Sequence, residues 1–211
     1  MVARRARVPA LFGGGRVRGR APGAGNREQP GSADLHRRRR RRRHPLAARA
    51  RAPAPPYART DAALRGAAKL IRNLHSAAAG FRPVITSYRF DPRPPQPGEV
   101  ISHGDLGPWN TVYHGEIPVA FIDWDSAGPV DPLADLAAAA WTFVPLAPPG
   151  QLAEAGFDPV PDLAARQRAF VDAYGLPDRK AILPELRRCT LDEPEPLRWL
   201  QDIAADLARM L

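Results

Sequence analysis

The chain has 211 residues, the length of one domain or two small ones, and 44% of them are hydrophobic. The single cysteine, Cys189, excludes an intramolecular disulfide framework and a multi-cysteine zinc site, which suits a reducing cytosol. No run approaches the roughly 18 apolar residues that a membrane span needs, and no stretch resembles a secretory signal. We therefore expect a soluble, cytoplasmic protein with no membrane partner.

The net charge of +9 is divided unevenly along the chain. Residues 1–60 hold 17 arginines against two acids, a net of +15. Residues 61–211 hold 14 lysines and arginines against 20 acids, a net of −6. The basic character therefore belongs to the N-terminal segment, and the rest of the chain forms a mildly acidic body.

Residues 1–56 show little periodicity and are rich in arginine, proline and glycine. Arg37 to Arg43 form an unbroken run of seven arginines, and the stretch from Ala52 to Pro56 is rich in proline. Because closely spaced like charges repel one another and resist burial, we expect this segment to be disordered. The chain is thus predicted to divide into a disordered segment over 1–56 and a folded body over 57–211.

Regular patterning begins near Thr60. Apolar residues recur at helical spacing from Leu64 to Ala78, and Thr60 or Asp61 can cap the start of that helix. Residues 82–98 follow as a proline-rich connection. A first helix followed by a long irregular segment is therefore expected.

Short strands are predicted after this connection. Val100-Ile101 and Thr111-Val-Tyr113 have strand composition and flank a loop, and Gly115 marks a turn. The apolar stretch from Pro118 to Ile122 then predicts a strand that ends at Asp123. We expect one small β-hairpin here.

The remainder of the chain reads as helical. An alanine-rich buried helix is predicted from Asp131 to Trp141, and another covers about 162–174 with Gly175 just beyond its end. A shorter helix follows Asp178, with a proline inside it, and a last one runs from about Pro196 to the C-terminus. The body is therefore predicted to be α+β and mainly helical.

The stretch His103-Gly-Asp-Leu-Gly-Pro-Trp-Asn110 carries the most specific chemical signal in the chain. Its glycines and proline make the loop tight, so that Asp105 can be presented to a hydroxyl and accept its proton. Asn110 offers a neutral carbonyl oxygen, and Asp123 after the next strand offers a charged one. Oxygen ligands of this kind hold Mg²⁺ on a nucleotide triphosphate, so the pattern indicates phosphoryl transfer.

Each of these residues also has a simpler structural interpretation. An aspartate in a glycine- and proline-rich loop is usually a turn former, an asparagine is often a cap, and an aspartate at a strand end can be merely solvated. His103 is expected to brace the loop backbone rather than to exchange protons. The catalytic interpretation is favoured by the joint pattern, in which D-P-x-x-D-L-A follows at residues 131–137.

Residues 103–136 resemble the catalytic core of the aminoglycoside phosphotransferase and choline kinase-like enzymes, a branch of the protein-kinase-like fold. The loop is similar to the kinase motif H-R-D-x-x-x-x-N, with Gly104 where arginine usually stands. The helix that contains Leu70-Ile-Arg-Asn-Leu-His75 also resembles a helix of this family. The resemblance covers about residues 60–211 and implies the C-terminal lobe of that fold, with ATP and Mg²⁺ as cofactors.

The resemblance also implies roles for individual residues. Asp105 would be the catalytic base, Asn110 a ligand of Mg²⁺ and of the nucleotide, and Asp123 the counterpart of the metal-binding aspartate of the kinase D-F-G motif. Asp131 and Asp135 match acidic positions that look structural in the family. The acceptor pocket is expected among the helices after Asp162.

The sequence contains no pattern that corresponds to the lobe that covers ATP in such kinases. That lobe supplies a glycine-rich strand pair and a strand lysine, whereas the two lysines here are Lys69, inside a predicted helix, and Lys180. Residues 1–56 have the composition that results when GC-rich DNA is translated out of frame. We therefore hypothesise a wrong-frame translation or misplaced start, and expect an impaired kinase.

Three functions remain open from the sequence. The first is an ATP- and Mg²⁺-dependent O-phosphotransferase for a small hydroxylated molecule, where the acidic body suits a cationic acceptor of the aminoglycoside or amino-alcohol type. The second is non-specific nucleic-acid binding through Arg37–Arg43, which is disfavoured because no aromatic residue is interleaved for stacking. The third is an inactive pseudokinase remnant.

Overall fold

The computed structural model describes residues 54–84, 87–190 and 194–211, with only the backbone described at 194–197 and 210. The arginine run and almost all of the segment predicted to be disordered lie outside these residues. Within them, no helix combines the length and the apolar character needed to cross a bilayer.

The described residues form six α-helices and four short strands. The mixture confirms the predicted α+β class. In chain order the elements are α1 Asp61–Ala78, β1 Val100–Ser102, β2 Thr111–His114, β3 Ile117–Phe121, β4 Gly128–Val130, α2 Pro132–Phe143, α3 Pro149–Glu154, α4 Leu163–Tyr174, α5 Ile182–Cys189 and α6 Pro194–Met210.

Helix α1 begins where the sequence predicted. The Thr60 side chain accepts a hydrogen bond from the Ala63 backbone N–H at 3.1 Å, so it caps the helix. The apolar face with Leu64 and Ile71 is fully buried. Gly66 lets the hairpin lie directly on this helix, because a Cβ there would come within 2.6 Å of the Pro118 ring.

The strands form two separate two-stranded antiparallel sheets, β1 with β4 and β2 with β3. The prediction of a single hairpin that carries the catalytic loop was wrong in this respect. The loop connects one sheet to the other. Strand β4 was missed because three residues, one of them proline, give no alternating pattern and proline is depleted in strands.

The β2–β3 hairpin contains a bulge that sets which side chains face the body. Val112 pairs with Ala120 and Tyr113 pairs with Pro118, so Val119 is the extra residue. Pro118 is therefore buried against α1, whereas Val112 and Val119 are exposed on the outer face.

Helix α2 lies at the centre of the main core. Asp131 caps it, because one carboxylate oxygen accepts the backbone N–H groups of Leu133 and Ala134 at 2.9 and 3.0 Å. Its Leu136 and Trp141 are almost completely buried. The predicted alanine-rich helix is thus confirmed, two residues longer at its C-terminal end.

The buried guanidinium of Arg166 ties three elements together. It donates from α4 to the carbonyl oxygens of Phe143 and Val144 at the end of α2, at 3.4 and 3.1 Å. It also donates to the Arg59 carbonyl and the Asp61 carboxylate at the start of α1, both at 3.1 Å. Burial lowers the pKa of Arg166, and the negative charge of Asp61 opposes this shift.

The two last helices also differ slightly from their predicted bounds. Helix α5 starts at Ile182, so Pro184 falls in its first turn, where a missing backbone N–H costs little. Helix α6 starts two residues before the predicted Pro196 and packs Leu200 and Leu207 into the main core.

Replacing Asp131 with alanine removes the cap of α2. We expect the free energy of unfolding to fall by about 1 kcal/mol, measured by urea denaturation of the full chain. Asp131→Ser retains a capping oxygen and is the matched control, which should lose much less. Equal losses in the two variants would show that the cap is not the source of the effect.

Burial raises the pKa of Tyr113 to about 12 from the ordinary tyrosine value of 10.0. The folded state therefore keeps a neutral phenol while the unfolded state ionises, so this contribution to stability is lost as the pH rises from 10 to 12. The stabilities of the parent and Tyr113→Phe should run parallel up to about pH 9. Above that pH, the parent should lose stability more steeply in urea denaturation; parallel curves up to pH 12 would contradict the shift.

Candidate active site

Two chain connections face each other at one end of the two sheets. The first is the loop 103–110 between β1 and β2, and the second is the segment 122–127 between β3 and β4. Ser102 pairs with Gly128, and the Ile122 backbone N–H donates to the Asn110 carbonyl at 2.9 Å. Since both ends of each connection are held, the predicted site residues on them are brought together.

His103 braces these two connections, as the sequence predicted. Its fully buried ring accepts the Asp105 backbone N–H at Nδ1, at 3.3 Å, and donates from Nε2 to the Ile122 carbonyl at 2.7 Å. The Trp124 ring lies 4.8 Å away between centroids. Both ring nitrogens are engaged by backbone groups, so the ring is unsuited to proton exchange with a substrate.

Gly104 occupies a position that no other residue fits. Its φ is +76°, and a Cβ there would lie 2.1 Å from the Ser126 carbonyl oxygen. The arginine that usually stands at this point of the kinase motif would therefore collide with the facing connection. Glycine stands at this position because the two backbones approach too closely for any side chain.

Asp105 and Asn110 are joined across the loop. The Asn110 amide nitrogen donates to the Asp105 backbone carbonyl at 2.9 Å and to its Oδ2 at 3.2 Å. Because both partners are acceptors, they fix the orientation of the amide. The Asn110 side-chain oxygen is consequently directed away from Asp105, as a metal ligand would require.

Asp123 is exposed and has a left-handed backbone, with φ 64° and ψ 64°. A non-glycine residue in this region costs on the order of 1–3 kcal/mol, and such strain concentrates at functional sites. Its side chain makes no capping hydrogen bond to the turn Trp124–Ser126 that follows. The carboxylate is thus held at the end of β3 by its strained backbone.

Asp125 has a different environment from Asp123. Its Oδ2 accepts from the Arg89 guanidinium at 3.1 Å, and both side chains are mostly exposed. Exposed ion pairs of this kind contribute little to stability. Asp125 thus pairs with Arg89 and is not one of the predicted metal ligands, which are Asn110 and Asp123.

A buried network fixes the start of the loop 103–110. Asp135 Oδ2 accepts from the Ser102 hydroxyl at 2.6 Å and from His75 Nε2 at 3.1 Å, while His75 Nδ1 lies 2.9 Å from the Tyr174 hydroxyl. Burial raises the pKa of Tyr174, and the charge of Asp135 adds to this. The predicted structural role of Asp135 is confirmed, together with the capping role of Asp131.

Sequence reasoning missed Ser102 and Tyr174 as members of this network. Ser102 ends a short strand directly before His103, and that position was its only signal. Tyr174 ends the helix predicted over about 162–174, and its hydroxyl was overlooked because a tyrosine ring fits an apolar helix face.

The described residues also contain a cavity of about 440 Å³, within the size range of small-molecule sites. It lies among the helices after α2, and its lining includes no residue of the loop 103–110 or of the segment 122–127. It combines apolar side chains with two carboxylates and one guanidinium. Its lining residues are Pro149, Asp162, Leu163, Ala164, Trp199, Ile203, Asp206, Leu207 and Arg209.

No group of three or more histidine, cysteine, aspartate or glutamate residues is placed to hold a metal ion among the described residues. Lys69 and Lys180 are both exposed, on α1 and in the turn before α5.

The model of the phosphotransferase enzyme family matches residues 20–167, and the chain belongs to this family. The match begins inside the segment predicted to be out of frame, of which the structure describes only residues 54–56. The motif-based assignment of the family is therefore confirmed.

The trifolitoxin immunity protein of Rhizobium leguminosarum bv. trifolii is 38% identical over 110 residues, which cover 51% of this chain and 42% of that protein. The matched part of the chain thus spans about two fifths of that relative. No solved structure matches the chain.

Gly104→Ala should destabilise the fold by more than backbone strain alone. Gly115→Ala is the matched control, because Gly115 also has a positive φ, of +60°, but has nothing within 4 Å of an added Cβ. The control should lose about 1–2 kcal/mol of unfolding free energy. Gly104→Ala should lose more, with faster amide exchange over 103–110; equal losses would show that the contact with Ser126 relaxes freely.

Proposed function

We propose that this chain carries the base and metal half of an O-phosphotransferase site that uses ATP and Mg²⁺. The observation that supports it best is the hydrogen-bonded pair of Asp105 and Asn110, because the Asn110 carbonyl also accepts from Ile122, the residue directly before the strained Asp123. In this proposal the described body corresponds to the C-terminal lobe of a protein-kinase-like fold.

Asp105 is the group suited to act as base. It is half-buried in a loop braced by His103, and Asn110 holds its Oδ2 at 3.2 Å. A carboxylate fixed in this way can orient an acceptor hydroxyl and take its proton as the oxygen attacks the γ-phosphorus, while the bond from the γ-phosphorus to the bridging oxygen breaks and ADP leaves.

Asn110 and Asp123 fit a Mg²⁺ ion bound together with a nucleotide. Mg²⁺ takes oxygen ligands and is usually held by one or two carboxylates with substrate phosphates and water, so two protein oxygens are sufficient. When bound, the ion would neutralise charge on the phosphates. The side-chain oxygen of Asn110 and the carboxylate of Asp123 are the atoms that would hold it.

The outer face of the β2–β3 hairpin offers an apolar surface for the nucleotide base. Val112, Val119 and Ile122 are 39%, 50% and 50% exposed, and Ile122 directly precedes Asp123. Exposed apolar groups next to a metal-ligating residue suit a ligand with a flat base and a charged phosphate end.

The acceptor is proposed to be a small hydroxylated molecule of cationic character. Residues 61–211 carry a net charge of −6, and the cavity beside α6 places Asp162 and Asp206 near the aromatic ring of Trp199. Opposite charge raises encounter rates with a cation. Cytoplasmic location remains part of this proposal, and nucleic acid is not expected as a partner.

The likeness to a trifolitoxin immunity protein supports a second candidate for the acceptor. Protection of a cell against a toxin could proceed by phosphorylating a toxin hydroxyl, which would use the same Asp105 and metal ligands. This role differs from the first in the acceptor only.

Catalysis is proposed to be impaired. Neither Lys69 nor Lys180 lies on a strand beside the phosphate side of the site. Preorganised positive groups on the phosphates supply much of the rate of phosphoryl transfer. We therefore expect the chain to bind the metal-nucleotide complex even though its turnover is slow.

Asp123→Asn should weaken binding of Mn²⁺ in the presence of ATP at least about tenfold, since even outer partners of a metal change affinity about 10- to 100-fold. Mn²⁺ binding is measured by electron paramagnetic resonance, which needs no turnover. Asp125→Asn is the matched control, because Asp125 lies two residues away and pairs with Arg89.

The proposal requires that the control keep its Mn²⁺ affinity. Equal weakening by Asp123→Asn and Asp125→Asn, or no ATP-dependent Mn²⁺ binding at all, would contradict it. Asp105→Asn should keep the metal and abolish any ADP release that depends on a hydroxylated acceptor. Normal turnover of the unsubstituted chain would refute the impairment alone.

A further inference from the structure

The outer face of helix α1 carries three exposed cations, Arg65, Lys69 and Arg72, which we call the cationic stripe. Because an α-helix turns once every 3.6 residues or about that, the three side chains start within about 60° of one another around the helix axis. They extend over about 10 Å along that axis. The buried Leu64 and Ile71 lie on another face of the same helix. The stripe therefore belongs neither to the core nor to the candidate active site.

The cationic stripe has no acidic partner among the residues that the structure describes. Asp61, the only acid of α1, stands four residues before Arg65 but pairs with the buried Arg166 instead. Most other arginines of the folded body do pair with a carboxylate, namely Arg89, Arg93, Arg166, Arg168, Arg179, Arg188 and Arg209. The stripe thus stays unneutralised although residues 61–211 hold more acids than bases.

The arrangement of the cationic stripe does not help the helix that carries it. Arg65 and Lys69 are four residues apart, and Lys69 and Arg72 are three apart, so their charges are neighbours on the helix surface. Like charges at these spacings destabilise a helix, whereas glutamine has a similar helix propensity without the repulsion. A bound anion would relieve the repulsion.

The length of the cationic stripe favours a peptide over a small anion. A single phosphate or carboxylate can contact two neighbouring cations, but it cannot reach both ends of a stripe about 10 Å long. Side chains on one side of an extended peptide recur about every 7 Å. This repeat is close to the rise of about 6 Å between Arg65 and Lys69. An acidic peptide can therefore place successive carboxylates along the stripe.

The charge of the rest of the protein limits the length of the bound anion. Residues 61–211 have a net charge of −6, so the folded body as a whole repels a long polyanion such as nucleic acid or an anionic membrane surface. A short acidic segment avoids most of this repulsion because it covers the stripe alone. Residues 1–60 cannot neutralise the stripe themselves, since their net charge is +15.

We propose that the cationic stripe of α1 is a docking site for a short acidic peptide segment of a partner protein. The contacts are exposed and few, so the affinity is modest and falls as the ionic strength rises. The inference goes beyond the proposed phosphotransferase function and does not depend on it, because no residue of the stripe belongs to the loop 103–110 or to the segment 122–127.

The two lysines of the chain provide a direct test. Lys69 belongs to the cationic stripe, whereas Lys180 is exposed in the turn before α5 and serves as the internal reference. A water-soluble carbodiimide joins a carboxylate to a lysine amine and leaves arginine unmodified, so the arginine run of the N-terminal segment gives no signal. The full chain is treated with N-acetylated hexaglutamate as the probe, and the adducts at each lysine are quantified by peptide mass spectrometry.

The expected result is preferential modification of Lys69. N-acetylglycine, which has a single carboxylate, measures the intrinsic reactivity of each amine. Relative to it, hexaglutamate should modify Lys69 about three- to tenfold more than Lys180. Arg65→Gln should reduce this preference about two- to fivefold without lowering the melting temperature, because it also removes a repulsion. Arg187→Gln is the matched control, since it removes an equally exposed charge on α5, and it should leave the preference unchanged.

Other outcomes would overturn the proposal. Equal relative modification of Lys69 and Lys180, or equal effects of Arg65→Gln and Arg187→Gln, would mean that the attraction is diffuse and has no site on α1. Protection of Lys69 by single-stranded DNA or by phosphatidylserine vesicles, as strong as that by hexaaspartate, would assign the stripe to nucleic acid or to a membrane. Links between two chains through Lys69 in the absence of peptide would assign it to a second copy of the protein.

Discussion

The carboxylate of Asp135 is the interaction on which the rest of the site depends. It is buried in α2 and accepts from Ser102 at the end of β1 and from His75 on α1, and His75 contacts Tyr174 on α4. A buried carboxylate is tolerated only when its oxygens are satisfied, and removing it would leave a hydroxyl and a ring nitrogen without a partner. Strand β1 and helices α1, α2 and α4 are thereby held in one arrangement around Ser102, the residue that precedes the loop 103–110.

The geometry of the candidate site follows from that anchor. With Ser102 fixed, the loop can approach the facing connection closely enough that only glycine fits at position 104. The same approach lets His103 bridge the two backbones and lets Asn110 meet Asp105. Asp123 follows Ile122, which is bonded to Asn110, and adopts a left-handed backbone conformation. The loop is therefore held by contacts at several points, which suits the positioning that phosphoryl transfer demands.

Much of the fold could be predicted because its signals are local. The cap at Thr60, the apolar spacing of α1 and the end of α4 at Gly175 were predicted from the sequence and are confirmed. The pairing of β4 with β1 was not, because 25 residues separate Ser102 from its partner Gly128 and three residues have no period. The network through Ser102 and Tyr174 escaped for the same reason, since its members come from four separate elements.

The sequence by itself determined the family and the chemical types of the site, because the spacing of Asp105, Asn110 and Asp123 is set by covalent connectivity. It also determined that the positive charge is confined to the N-terminal segment. Only the tertiary structure decided how Asp105 and Asn110 contact each other, why glycine replaces arginine at position 104, and that the Trp109 ring packs against the bare backbone of Gly107. Those features arise where chain segments distant in sequence come into van der Waals contact, and no local pattern encodes that contact.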